Sequence, residues 1–299
     1  MPEPGWLWIV FTLAAAAGQT VRNAMQRELT AQLGTVGATH VRFLFGFPFA
    51  LVFLAGLMLV TGVALPRPPA AFWLWIALGL GAQIAATALM LAAMEQRSFV
   101  VTIAYIKTEP VQVALFGLVF LGDRLSIGMA AAILIATAGV VVMSLKPGAA
   151  ADASLRPTLL GLGAGATFAL SAVGYRGAIL SLGLSDYMLA ATFTLAVGLV
   201  LQAAILSAYL MLTRPAVMGA ILRAWRPSLF AGFMGALASQ FWFLAFALAT
   251  AASVRTLALV EVLFAQAISS LVFGYRTTAR EGAGIALIVA GVALLIWTH

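Results

Sequence analysis

Two glutamates, Glu109 and Glu261, sit inside long apolar runs and carry the chemistry that most needs explaining. An ionised side chain at mid-bilayer costs at least about 2.5–3.5 kcal/mol on insertion scales, so it faces a bundle interior or a wet cavity and finds a partner. The embedded cations available to them are Arg22, Arg42, Lys107, Arg176 and Arg255. At 100° per residue, Ser98, Thr102, Tyr105, Glu109, Gln112 and Phe116 share one narrow arc of a helix. Gln112 can hydrogen-bond an organic solute there, and Tyr105 and Phe116 can enclose it. The competing reading is a tightly packed polar interface. Lys107 points to the opposite side of an ideal helix from Glu109, so its partner is expected on another helix. Pro110 removes an intrahelical bond, which predicts a flexible point.

Other helices add polar faces. Gln19, Arg22, Asn23 and Gln26 are spaced by three and four, hence on one side of the first helix. Such a face lines a cavity or hydrogen-bonds a neighbouring helix. Gln83 lies on a face with Thr87, Met90 and Met94, and Ser171 and Tyr175 share one with Thr167. Trp242 accompanies Ser239, Phe243 and Phe246, while Gln266 accompanies Arg255 and Ser269. The expected substrate cavity is therefore drawn from Gln19, Asn23, Gln83, Tyr105, Glu109, Gln112, Phe116, Ser171, Tyr175, Trp242 and Gln266. The charges expected to pair or to couple protons are Arg22, Arg42, Glu109, Arg255 and Glu261. His40 is either a proton relay or a satisfied polar group.

A catalytic reading has little to stand on. There is no cysteine, there are two histidines (His40 and His299), and Asp123, Asp152 and Asp186 fall near loops. No metal site, cofactor or enzyme activity is expected.

The elements that hold these residues follow from composition. Hydrophobic residues make up 64% of the 299 and charged ones only 8%, with mean hydropathy +1.09. A water-facing surface needs roughly three times that share of charge. The expected fold is all-α and membrane-embedded. At about 20 residues per span, ten transmembrane helices fit, near 6–26, 36–61, 70–94, 98–121, 126–145, 157–180, 185–212, 228–250, 253–273 and 279–297. The apolar run after Leu7 is read as the first helix and not as a cleaved signal, because Glu3 and no Lys or Arg precedes it. The net charge of +7 is dispersed, which argues against a nucleic-acid partner and for the positive-inside bias.

The two halves look like repeats. At an offset of 152, Glu109 meets Glu261, Gly122 meets Gly274, Arg124 meets Arg276, and Ala138-Gly139-Val140 meets Ala290-Gly291-Val292. The expected division is 1–146, a linker at 147–156, and 157–299. Five spans per repeat invert the second relative to the first, the usual architecture for alternating access. Loops on one side hold Arg27, Arg97, Lys146, Arg156, Arg214, Arg223, Arg226, Arg276 and Arg280, and those on the other hold Arg67 and Arg124. That asymmetry places both termini outside.

The stretch Glu109-Pro110-Val111 through Leu121-Gly122-Asp123-Arg124-Leu125-Ser126 resembles the signature of EamA-type transporters of the drug/metabolite transporter superfamily. So does Glu261 to Arg276 with the following Ala290-Gly291-Val292, and Arg42 in Val41-Arg42-Phe43-Leu44 looks like an arginine of that family's second helix. Val262 and Tyr275 depart from the pattern, where proline and an acid are usual. The resemblance implies ten helices in two inverted repeats, a multi-pass protein of a bacterial inner membrane, and export or exchange of small metabolites. It also suggests Arg42 as the partner of Glu109, and cytoplasmic termini, against the charge count. The excess of embedded cations favours a carboxylate-bearing substrate such as an amino acid. The expected partners are that solute, the lipid bilayer and, through Glu109 or Glu261, protons. A channel or non-transporting scaffold is the alternative, with a membrane-embedded enzyme further behind.

Overall fold

The computed structural model describes residues 5–96, 105–144, 155–273 and 278–298; side chains of some helical residues, Asn23, Gln26 and Ser269 among them, fall outside the described set. Every regular element among the described residues is helical. In chain order these are α1 (Leu7–Leu44), α2 (Phe47–Thr61), α3 (Ala70–Gln96), α4 (Glu109–Phe116, continued by a π-turn over Gly117–Leu121), α5 (Ile127–Ser144) and α6 (Leu155–Ser181). They continue with α7 (Tyr187–Thr213), α8 (Pro215–Arg223), α9 (Trp225–Leu248), α10 (Ala251–Leu257), α11 (Val260–Phe273) and α12 (Ala279–Thr298). Among the described residues, six helical stretches are long and apolar enough to cross a membrane: Gln32–Thr61, Ala70–Met90, Thr158–Ser181, Tyr187–Thr213, Trp225–Leu248 and Ala279–Thr298. Three shorter apolar ones are Leu7–Arg22, Glu109–Leu121 and Ile127–Met143.

Several boundaries differ from the sequence reading, and the helix expected over 36–61 is divided between the end of α1 and α2. α1 does not stop near residue 26 but runs on, interrupted only at Gly34 (φ 67°, ψ 171°). That backbone region is open to glycine almost alone, so the chain kinks there. The helix expected over 253–273 is divided into α10 and α11. Between α7 and α9 stands α8, a nine-residue helix not anticipated at all.

The chain forms two compact units, each fed by both sequence halves: 1–76 with 176–248, and 77–175 with 249–299. In the first, α1 packs along α9. A Cβ on Gly18 would lie 3.3 Å from that of Ala238, and one on Gly232 would collide with the Phe45 backbone at 2.5 Å. Asp186 starts α7 by accepting hydrogen bonds from the Met188 and Leu189 N–H groups at 2.9 and 3.1 Å.

In the second unit, α5 and α12 cross antiparallel through small residues. A Cβ on Gly139 would sit 2.7 Å from the Gly284 oxygen and 2.8 Å from the Ile288 nitrogen. One on Gly291 would sit 2.6 Å from the Ala136 nitrogen and 2.8 Å from the Ala132 oxygen. Shifting by 152 carries Ala132, Ala136 and Gly139 onto Gly284, Ile288 and Gly291. The contact maps onto itself, as a two-fold contact does. Val140 and Val292, again 152 apart, pack in the same cluster with Leu259 and Val262.

Candidate functional site

Glu109 and Glu261 both stand at helix starts. At the first, the chain turns at Lys107–Thr108: the Thr108 N–H donates to the Tyr105 carbonyl at 3.2 Å, and its hydroxyl donates to the same oxygen at 2.7 Å. α4 then begins at Glu109. Pro110 lies in the first turn, where a missing N–H costs nothing. The proline therefore begins a helix, which corrects the expectation of a flexible point within one. At the second break, Thr250 caps α10, and the helix ends at Ala258. The N–H groups of Leu259, Glu261 and Val262 donate three residues back, to Thr256, Ala258 and Leu259, at 3.0–3.1 Å. α11 resumes with Glu261 in its first turn and no proline. Each carboxylate thus sits where unsatisfied N–H groups give a helix roughly half a positive charge.

The charges pair across the two breaks. Lys107 Nζ bonds Glu261 Oε1, and Arg255 Nε lies 3.1 Å from Glu109 Oε1. Side-chain exposure is 13–22% across the four, so water screens them only partly. Lys107 also lies within electrostatic reach of Glu109 and Arg255. Among the described residues, these two cations and two anions form one cluster. Lys107 does find its partner on another helix. Glu109 is met by Arg255 on α10.

The stripe continuing from Glu109 lies against α6. A Cβ on Gly161 would fall 2.8 Å from that of Tyr105, and one on Gly165 would fall 3.1 Å from Gln112 Oε1. Thr158 donates to the Tyr105 hydroxyl at 3.3 Å. Gln112 donates to Thr108 Oγ1 at the long distance of 3.5 Å, and its buried Oε1 makes no hydrogen bond among the described residues. Tyr175 donates to Gln83 Oε1 at 2.9 Å, joining two expected lining residues. Ser171 is buried on α6, Gln266 is half-buried on α11, and Phe116 faces Phe120 with ring centres 6.1 Å apart. Ser98, Thr102 and Gly274 fall outside the described residues, as do the side chains of Asn23 and Ser269.

The first unit holds a separate polar seam. Trp242 donates its indole N–H to Gln19 Oε1 at 3.2 Å, again uniting two expected residues. The stems of Arg42 and Arg22 converge on Gly235, at 3.2 and 3.7 Å from where its Cβ would be. Ser239, one turn on, has a buried hydroxyl with no hydrogen bond among the described residues. His40 is fully buried, with Nε2 2.9 Å from the Ser207 hydroxyl, a partner the sequence did not indicate.

No family model matches this chain, and no curated protein matches it. It is similar to a solved structure described as "Crystal structure of protein", at 16% identity and a TM-score of 0.72, over 98% of this chain and 96% of that one. At this identity the likeness shows the fold alone.

Proposed function

We propose that this protein is a secondary transporter that moves a small carboxylate-bearing metabolite, such as an amino acid, by alternating access. The observation that carries the reading is the pair of helix breaks, 152 residues apart, each opening on an embedded glutamate held by a cation from the other break. Discontinuous helices whose half-helix ends face each other at membrane depth are how carriers build ion and solute sites. A static structural role would be served more cheaply by apolar residues, since desolvating paired charges often offsets their attraction. The self-mapping contact of α5 with α12 supports two inverted five-helix repeats, 1–146 and 157–299, and ten spans in all. That architecture and the resemblance of the two glutamate stretches agree on an EamA-type exporter or exchanger of a bacterial inner membrane. Protonation of either glutamate would release its cation, so proton coupling would run through Glu109 or Glu261.

The test is counterflow in proteoliposomes, using solutes found by thermal-shift screening of the purified chain against a metabolite panel. Saturable uptake, accelerated by unlabelled solute inside, is expected. Linear uptake with no counterflow would assign a channel instead. Proton-driven uptake that persists unchanged in a Glu109→Gln/Glu261→Gln variant would remove the glutamates from coupling.

A further inference from the structure

α8 fills the connection between α7 and α9 and is amphipathic. Ile221 is fully buried and packs with Leu29, Leu33 and Leu210, joined by the half-buried Val217, Met218 and Ala220. Arg223 projects from the opposite side, about 200° around the helix from Ile221 at 100° per residue, and Leu222 is exposed on the flank. The helix is bracketed by two more exposed arginines, Arg214 at its N-cap and Arg226 just past its end. Trp225 is half exposed, with the Arg226 guanidinium 5.5 Å from its ring centre. Arg223 Nε donates to the Gly219 carbonyl at 3.3 Å, which lays that side chain back along the helix. No acid occurs in the sequence between Asp186 and Glu261.

This combination has a specific physical meaning next to apolar helices of membrane length. A short helix with one face on the protein, an exposed leucine and an indole on its flank, and cations on its outer edge matches the water–lipid boundary. Tryptophan settles at headgroup depth, and guanidinium forks match phosphate oxygens bidentately. We propose that α8 with Arg214, Arg223, Trp225 and Arg226 is a ledge that holds the phosphate headgroup of an anionic phospholipid. The acyl chains would lie along the exposed Leu212, Leu222, Leu229 and Phe230. A solute anion would have no use for that apolar border, which is why the lipid, and not free phosphate, is the occupant assigned. Three basic side chains, at about fivefold each near a negative surface, give an expected preference for anionic over zwitterionic lipid of roughly a hundredfold.

Native mass spectrometry tests this on the full chain in dodecyl maltoside with an equimolar mixture of phosphatidylglycerol and phosphatidylcholine of matched chains. The wild type should retain phosphatidylglycerol selectively. Arg214→Gln/Arg223→Gln/Arg226→Gln should lose that selectivity, while Arg67→Gln/Arg124→Gln, which removes two exposed arginines elsewhere, should keep it. Equal loss in both variants, no loss in the first, or displacement of the lipid by inorganic phosphate alone would overturn the assignment. Should the triple variant fail to fold, quenching by brominated lipid in nanodiscs decides. The difference between wild type and Trp225→Phe should be quenched more by brominated phosphatidylglycerol than by brominated phosphatidylcholine, and equal quenching refutes the ledge.

Discussion

Removing the Glu109 carboxylate charge together with that of its partner should cost less than the sum of the two separate losses. At 3.1 Å and an effective dielectric of about 20, the Coulomb attraction between Glu109 and Arg255 is roughly 5 kcal/mol before desolvation is subtracted. Truncating one member of a buried pair costs about 3–5 kcal/mol, because the other is left uncompensated. With exposures of 14% and 20%, screening brings the expected cost of Glu109→Gln or Arg255→Gln to about 2–3 kcal/mol. Once Arg255 is also neutral no orphan charge remains, so the double variant should cost less than the sum, with a coupling energy of about 1.5–3 kcal/mol. The assay is reversible unfolding in mixed dodecyl maltoside–SDS micelles, followed by tryptophan fluorescence, for the wild type, both singles and the double. The same cycle on Lys107 and Glu261 should show coupling of similar size. Glu109 with Lys107 should couple more weakly, because those two interact within the cluster without being ion-paired. Coupling below about 0.5 kcal/mol in both crossed pairs, or a larger value for Glu109 with Lys107, would refute the pairing and remove the observation on which the transport reading rests.

The crossing of α5 with α12 predicts that Gly139→Ala and Gly291→Ala each lose roughly 1–3 kcal/mol in the same assay, since each Cβ would meet backbone atoms closer than 3 Å. The two losses should be similar, and a loss at only one glycine would contradict a self-mapping contact. Asp186→Ala should cost about 1 kcal/mol by leaving the first N–H groups of α7 unsatisfied, with Asp186→Asn largely restoring it; equal losses would show that the carboxylate charge, not the cap, matters there. An alkaline phosphatase fused after His299 should be active in intact cells if the loop arginines set orientation, and inactive activity there with an active cytoplasmic reporter would place the C-terminus inside.

Much of this arrangement is legible in the residue types, and the failures have a common cause. Polar side chains in apolar helices cannot face lipid, so Gln19 and Trp242, or Gln83 and Tyr175, could be singled out from spacing and do meet in the structure. Their partners were legible only as a class, because a helical wheel gives direction but no distance. The break before Glu261 left no mark. Ala258 and Leu259 are good helix formers, and the turn is held by three-residue hydrogen bonds that any sequence can make. α8 was hidden because Arg214-Pro215 reads as a loop, although Val217 and Ile221 repeat at helical spacing and proline is well placed at a helix start. The run of α1 to Gly34 was missed for the opposite reason. Polar residues after position 26 suggested a loop, yet charged and amide side chains are ordinary helix formers.

The charge cluster follows the 152-residue correspondence only in part. Both halves retain the glutamate and the interruption before it, but the cations do not correspond: Lys107 lies two residues ahead of Glu109, Arg255 six ahead of Glu261. A strictly two-fold cluster would give the two pairs equal strength. Here the first glutamate is met by a guanidinium, a planar fork of donors, and the second by a single ammonium, a compact point charge. Under the transport reading that difference has a consequence. If inverted repeats exchange conformations to open each side in turn, equal pairs would make the two openings nearly equivalent. Unequal pairs bias one opening over the other before any solute binds. Converting Lys107 to Arg should therefore leave the fold intact and shift the balance of substrate accessibility between the two faces, read as a changed ratio of inward to outward counterflow rates. An unchanged ratio would mean that the identity of the cation is incidental and that only the paired glutamates matter.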